Sequence, residues 1–91
     1  MDFQLRRTDT FTKCFEDLDG SVRPRITKRI ISLRHSVHGL EPVKICPIGM
    51  DGLMKLKIGD WRVFLWVDNG KMEVVLHAVW HRSVAYKKLF R

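Results

Sequence analysis

Cysteine is scarce in this sequence. Cys14 and Cys46 stand far apart with no C-x-x-C spacing, which excludes a disulfide framework and a metal knuckle and suits free thiols in a reducing compartment. Long apolar runs are missing too: none approaches the roughly 20 residues a membrane-spanning helix needs. The opening Met1-Asp2-Phe3-Gln4 has neither the basic nor the apolar region of a signal peptide. These absences predict a cytoplasmic protein with no membrane partner. There is no internal repeat and no low-complexity tract. Carboxylates thin out along the chain. The first 52 residues hold nine Lys/Arg and seven Asp/Glu, whereas the last 39 hold eight and three, so most of the net charge of +7 lies in the second part. A one-sided basic excess suits a nucleic-acid partner or an acidic protein partner; it also describes a solvated face that keeps a small protein soluble.

At 91 residues, 45% of them hydrophobic, one domain spanning 1–91 is expected, with a modest core. Phe3-Gln4-Leu5-Arg6-Arg7 alternates like a short strand. Thr8 or Thr10 is placed to cap a helix carrying Phe11, Cys14, Phe15 and Leu18 on one face, and Asp19-Gly20 to stop it. Ser21 is the next candidate cap, and Pro24 falls where a first helical turn tolerates it. Val22, Ile26, Ile30, Leu33 and Val37 recur at helical spacing, so a second helix of about four turns should run to Gly39. A connection of a residue or two would make the pair an antiparallel hairpin. Residues 40–52, with Pro42, Pro47, Gly49 and Gly52, predict an irregular loop.

Three strands should follow: Leu53–Ile58, Trp61–Val67 and Met72–His81, joined by a tight Gly59-Asp60 turn and by an Asn69-Gly70 hairpin whose central residues take positive φ. Ser83 would cap a short helix, Val84–Phe90. The order β-α-α-β-β-β-α describes a two-layer α+β fold, an antiparallel sheet with the helical hairpin on one face and a short C-terminal helix, its other face partly open.

Strand alternation sorts the chemistry. Met54, Leu56 and Ile58 should face the helices, as should Trp61, Val63, Leu65 and Val67. Lys55, Lys57, Arg62, Phe64 and Trp66 then share the opposite face. His81, Arg82 and Tyr86 sit at the exit of the last strand, and antiparallel pairing would bring them to the same cleft. Lys, Arg, His and Tyr with almost no carboxylate fit RNA cleavage by 2'-OH attack: one group accepts the proton, cations stabilise the pentavalent phosphate, and another group protonates the 5'-oxygen, with no metal and no small-molecule cofactor required. Aromatics such as Phe64 and Trp66 can stack bases. Each residue also has an ordinary role. Lysines on a strand face are commonly solvated or blunt an edge; Phe64, Trp66 and Trp80 are commonly core; Tyr86 can pin the last helix. His77, inside an apolar strand, reads as structural, and His35 and His38 lack a metal-ligand pattern beyond their spacing. The Arg-rich second helix suits solvent, an acidic partner or ribosomal RNA.

The stretch Gly52-Leu53-Met54-Lys55-Leu56-Lys57-Ile58-Gly59-Asp60-Trp61-Arg62-Val63-Phe64-Leu65-Trp66-Val67 resembles the L-x-K-L-x-x-G-D-Y/W-R-V-x-Y-x-V segment of the RelE/ParE toxins of type II toxin–antitoxin systems. Val79-Trp80-His81-Arg82-Ser83-Val84-Ala85-Tyr86 is similar to the family's V-G-H-R-x-x-V-Y ending, with Trp80 in place of the glycine. The RelE-like branch implies a ribosome-dependent mRNA endonuclease silenced by a cognate antitoxin, with the ribosome and mRNA as its other partners. That resemblance implies a proton acceptor or phosphate contact at Lys57, beside Lys55; a phosphate-stabilising arginine at Arg62; a substrate-positioning or stacking tyrosine at Tyr86; and a leaving-group acid at His81 or Arg82. RNA binding would fall to Lys55, Lys57, Arg62, Phe64 and Trp66. The ParE-like branch implies instead a DNA gyrase poison without nuclease activity.

Overall fold

The computed structural model describes residues 2–91; Met1 of the expected 1–91 domain lies outside them. In chain order the elements are β1 (Gln4–Arg7), α1 (Asp9–Glu16), α2 (Arg23–Ser32), β2 (Leu40–Pro42), β3 (Met54–Ile58), β4 (Trp61–Asp68), β5 (Glu73–His81) and α3 (Ala85–Leu89). The strands form one sheet in the order β1-β5-β4-β3-β2. Neighbours from β2 to β5 run antiparallel, and β1 lies parallel to β5, with Gln4 opposite Glu73 and Arg7 opposite Leu76. The α+β class and its two helices on one face stand as expected. Two details differ. The sheet is mixed rather than wholly antiparallel, because the chain returns to β1 from the far side through β5. Leu40–Pro42, expected as loop, forms a short edge strand on β3, its proline tolerated because an edge strand has N–H groups to spare.

Helix ends depart from the cap residues expected. Thr8 does cap α1, its Oγ1 accepting the Phe11 N–H at 3.1 Å; Thr10 lies inside the helix. Helix α1 stops at Glu16, with Leu18 beyond it, so the connection to α2 covers residues 17–22. The Ser21 hydroxyl donates to Asp19 Oδ2 at 3.0 Å instead of capping α2; Val22 holds the cap position without a side-chain bond, and Pro24 sits in the first turn as expected. Helix α2 ends at Ser32, well before Gly39. Ser83 does not cap α3, whose cap position is Val84.

The β3–β4 turn keeps to two residues, with Ile58 opposite Trp61 and Gly59 at φ +58°, the positive φ that a glycine-first hairpin turn demands. The β4–β5 turn is different. Neither Asn69 nor Gly70 has positive φ; Met72 takes it, at +52°. Asp68 Oδ1 accepts the Lys71 N–H at 3.0 Å, and that Asx contact organises a longer loop over residues 69–72 in place of the tight Asn-Gly turn.

Two apolar clusters flank the sheet. The larger packs Phe11, Ile26, Ile30 and Leu33 of the helical layer on Leu56, Val63, Leu65, Val74, Leu76 and Val79. The smaller lies on the other face, where Val43 and Leu53 of the 43–53 segment and Ala85 and Leu89 of α3 close over Phe64. That face, expected partly open, is therefore half covered. A β-bulge connects the two patterns. Phe64 pairs with Ala78 but Leu65 pairs with Leu76, leaving His77 as the extra residue of β5. Past the bulge the side chains exchange faces: Val74, Leu76 and Val79 all join the larger cluster, while Trp80 joins the smaller.

Candidate functional site

The face opposite the long helices gathers most of the expected groups. Cross-strand register sets Lys57 beside Arg62 and Lys55 beside Phe64, and paired residues share a face. Lys55 Nζ donates to the Tyr86 hydroxyl at 2.7 Å. The ammonium lies at the hydroxyl end of the ring, 5.4 Å from its centre, so the hydrogen bond, not a cation–π contact, defines the pair. Because the phenolic oxygen accepts from Lys55, its own O–H remains to be donated elsewhere. Tyr86 meets the Phe64 ring edge-on at 6.0 Å between centres and keeps 44% exposure. A groove of about 480 Å³ opens beside this pair, lined by Lys55, Tyr86, Phe90, Glu41, Val43 and Ile45, among others.

Arg62 is held at the end of the sheet. Its Nη1 donates to the carbonyls of Gly59 at 2.8 Å and Trp61 at 2.9 Å. Anchoring one nitrogen to backbone fixes the planar guanidinium and leaves its other edge for an oxyanion. Lys57 Nζ lies 3.3 Å from Glu41 Oε1, a half-exposed pair of small energetic worth. Glu41 was not among the expected site residues. It stood in a stretch read as loop, and only the pairing of β2 with β3 places a carboxylate opposite the lysines.

Three expected residues are placed differently. Phe64 is fully buried and forms the floor of the smaller cluster, so its ring face is closed to a base. Trp66 is half-buried over the same cluster, and its Nε1–H donates to the Asp51 carbonyl at 3.2 Å. His81 lies on the helix side. The bulge at His77 turns it there: His81 pairs with Trp61, the rings meet edge-on at 5.3 Å, and both line a groove with Thr10, Lys13 and Cys14 of α1 and with Asp17 just beyond it. His81 Nδ1 accepts the Ser83 N–H at 3.2 Å and lies 2.9 Å from the Ser83 hydroxyl; from that pattern the neutral ring carries its proton on Nε2. Arg82 reaches Asp60 across the β3–β4 turn, Nε to Oδ1 at 3.5 Å, with both side chains largely exposed.

His77 packs at 5.2 Å from Trp66 and 6.3 Å from Trp80, and burial lowers its pKa below 6.5, consistent with a neutral structural histidine. Among the described residues no three His, Cys, Asp or Glu side chains group as a metal site, and no helix is long and apolar enough to cross a membrane.

No family model matches the sequence, and no curated protein does. Solved structures match well. A double mutant of the Escherichia coli toxin RelE in the free state is 20% identical, with a TM-score of 0.68 over 98% of this chain and 95% of that one. The archaeal RelE–RelB complex from Pyrococcus horikoshii gives 16% identity and 0.70 over 90% and 97%. The RelB–RelE antitoxin–toxin complex from Methanococcus jannaschii gives 22% and 0.66 over 91% and 96%. This chain has the RelE fold.

Proposed function

We propose that this protein is the toxin of a toxin–antitoxin pair and acts as a ribosome-dependent mRNA endonuclease. The observation that carries this reading is the Lys55–Tyr86 hydrogen bond standing on the same sheet face as the Lys57–Arg62 pair, within a fold shared with the RelE toxins. In the reaction the 2'-oxygen bonds to phosphorus and the bond to the 5'-oxygen breaks, giving a cyclic phosphate and a 5'-hydroxyl. Arg62 offers its free edge to the phosphate as negative charge builds. Lys55 supplies further positive charge. Either the Glu41 carboxylate or Lys57 as its neutral amine accepts the 2'-OH proton; in the first case Lys57 stays an ammonium and adds its charge to that of Lys55. The Tyr86 O–H, which its oxygen keeps while accepting from Lys55, or Arg82 serves the leaving oxygen; His81 does so only if the end of β5 moves. None of these steps requires a metal. Tyr86 and half-exposed Trp66, rather than Phe64, offer aromatic surface to bases.

A small acidic antitoxin is the fitting inhibitor for such a basic surface; two of the structures described above are RelE–RelB complexes. The test is primer extension on mRNA bound to purified ribosomes. The wild-type protein should produce new cuts within A-site codons, and Arg62→Ala should lower the cutting rate about 10²- to 10³-fold while keeping its fold. An uncut message with the wild-type protein overturns the nuclease reading, and trapped gyrase–DNA complexes would then establish the ParE-like one.

A further inference from the structure

The β3–β4 turn collects more positive charge than the cleavage chemistry uses. Arg62 reaches it from β4, bonding the Gly59 carbonyl at 2.8 Å. Arg82 reaches it from the end of β5, where its backbone N–H bonds the Asp60 carbonyl at 2.7 Å and its Nε faces the Asp60 carboxylate at 3.5 Å. Arg25 reaches it from the opposite layer. Its Nη2 lies only 2.8 Å from where a Cβ on residue 59 would stand. Glycine at 59 thus does two things: it supplies the positive φ of the turn and leaves the space that the Arg25 guanidinium occupies. Among the described residues Arg25 has no hydrogen-bond or ion-pair partner, although it lies at the start of α2, where a cation opposes the helix dipole. Three guanidinium groups from three elements thus meet at a two-residue turn that offers one carboxylate. Like charges so arranged repel, and the repulsion is relieved when a polyanion lies across them.

We propose that Arg25 is a further RNA-binding residue, holding a backbone phosphate next to the one that Arg62 faces. The inference rests on reading the Lys55–Arg62 face as an RNA site. Geometry favours an extended strand of RNA. Lys55 and Lys57 are alternate residues of one strand, about 6.6 Å apart along its axis at two rises of about 3.3 Å. Arg62 stands beside Lys57, and Arg25 continues the row over the end of the sheet to the helix side. A single strand entering over Tyr86 meets a cation at each step and leaves past α2. Arg25 makes a binding contact and takes no part in bond making or breaking.

The test uses the full chain and a short fluorescein-labelled single-stranded RNA, made uncleavable by 2'-O-methyl groups, in anisotropy titrations over a range of salt. Arg25→Gln should weaken binding about five- to tenfold and reduce the slope of log affinity against log salt by about 0.7, the signature of one lost phosphate contact. Arg25→Lys should recover part of both. Lys71→Gln removes the same charge from the β4–β5 loop, at the other end of the sheet, and should change neither. Equal losses for Arg25→Gln and Lys71→Gln would reduce the effect to net charge and overturn the proposal, as would an unchanged Arg25→Gln or no RNA binding by the wild type. The cleavage reading fails separately: Arg25-dependent binding with an uncut message on ribosomes keeps the present inference and discards the nuclease, whereas cutting with an unaltered Arg25→Gln does the reverse.

Discussion

The two faces of the sheet are covered in different ways. On one, α1 and α2 lay Phe11, Ile26, Ile30 and Leu33 against β3, β4 and β5, forming an apolar cluster of twelve buried residues. On the other, the cluster has five buried residues: Phe64 of the sheet, and four laid over it by an irregular segment and a helix of five residues. The heavily packed face carries little candidate chemistry, and the thin one carries Lys55, Lys57, Arg62 and Tyr86. A short helix with few anchors has a low cost of local opening, so the surface that would receive RNA is also the one able to adjust to it. The well-packed face holds the strands in register while it does so.

That contrast can be broken by mutation. Leu65→Ala, in the larger cluster, should cost about 2–5 kcal/mol, a large share of the stability of so small a domain. Leu89→Ala, in the smaller one, should cost about 2 kcal/mol or less, because α3 can settle into the space. It should also remove RNA cleavage by freeing Tyr86. Urea titrations followed by far-ultraviolet dichroism and by tryptophan fluorescence would read both; a Leu89→Ala protein that unfolds as completely as Leu65→Ala would show the faces to be one cooperative unit. Thr8→Ala should cost about 1 kcal/mol, since Oγ1 caps α1 and also bonds the Leu76 carbonyl at 2.9 Å, and differential scanning calorimetry should show the lower midpoint. The smallest effect sharpens the comparison through pH. His77 belongs to the thin face, and burial lowers its pKa from 6.5. As pH falls the unfolded chain takes up that proton first, so the stability His77 contributes is whole above about 6.5 and is lost as pH falls through its lowered folded value. In His77→Gln the thermal midpoint should decline less between about pH 7 and pH 5 than in the wild type; parallel curves would refute the assignment.

Most of the fold was legible because its signals are local. Lys55 and Lys57 alternate with Leu56, Gly59-Asp60 marks a tight turn, and Ile26, Ile30 and Leu33 mark one helix face. What escaped depended on distant partners. Leu40–Pro42 becomes a strand only because β3 lies beside it, and with it Glu41 joins the site. Ser21 and Ser83 look like caps but bond Asp19 and His81 instead. Asn69-Gly70 carries the strongest hairpin signal and loses to the Asp68 side chain. The misplacement of His81 has a single cause. Strict alternation from Val74 and Leu76 would put His81 on the face of Lys55, and the one unpaired residue at His77 reverses it. Nothing in the composition of β5 distinguishes a bulge from an even strand.

The pairing of β1 with β5 joins residues 4–7 to residues 73–76, and it reaches beyond stability. The ribosome delivers the first of these strands long before its partner exists. Until β5 emerges, β1 has no ladder to join, and Thr8 has neither the Leu76 nor the His77 carbonyl to bond. Order of manufacture and order of closure are therefore opposed: the earliest strand made is among the last secured. A nascent chain of this protein has no complete sheet until residues 73–81 have emerged, and no finished site until Tyr86 has followed them.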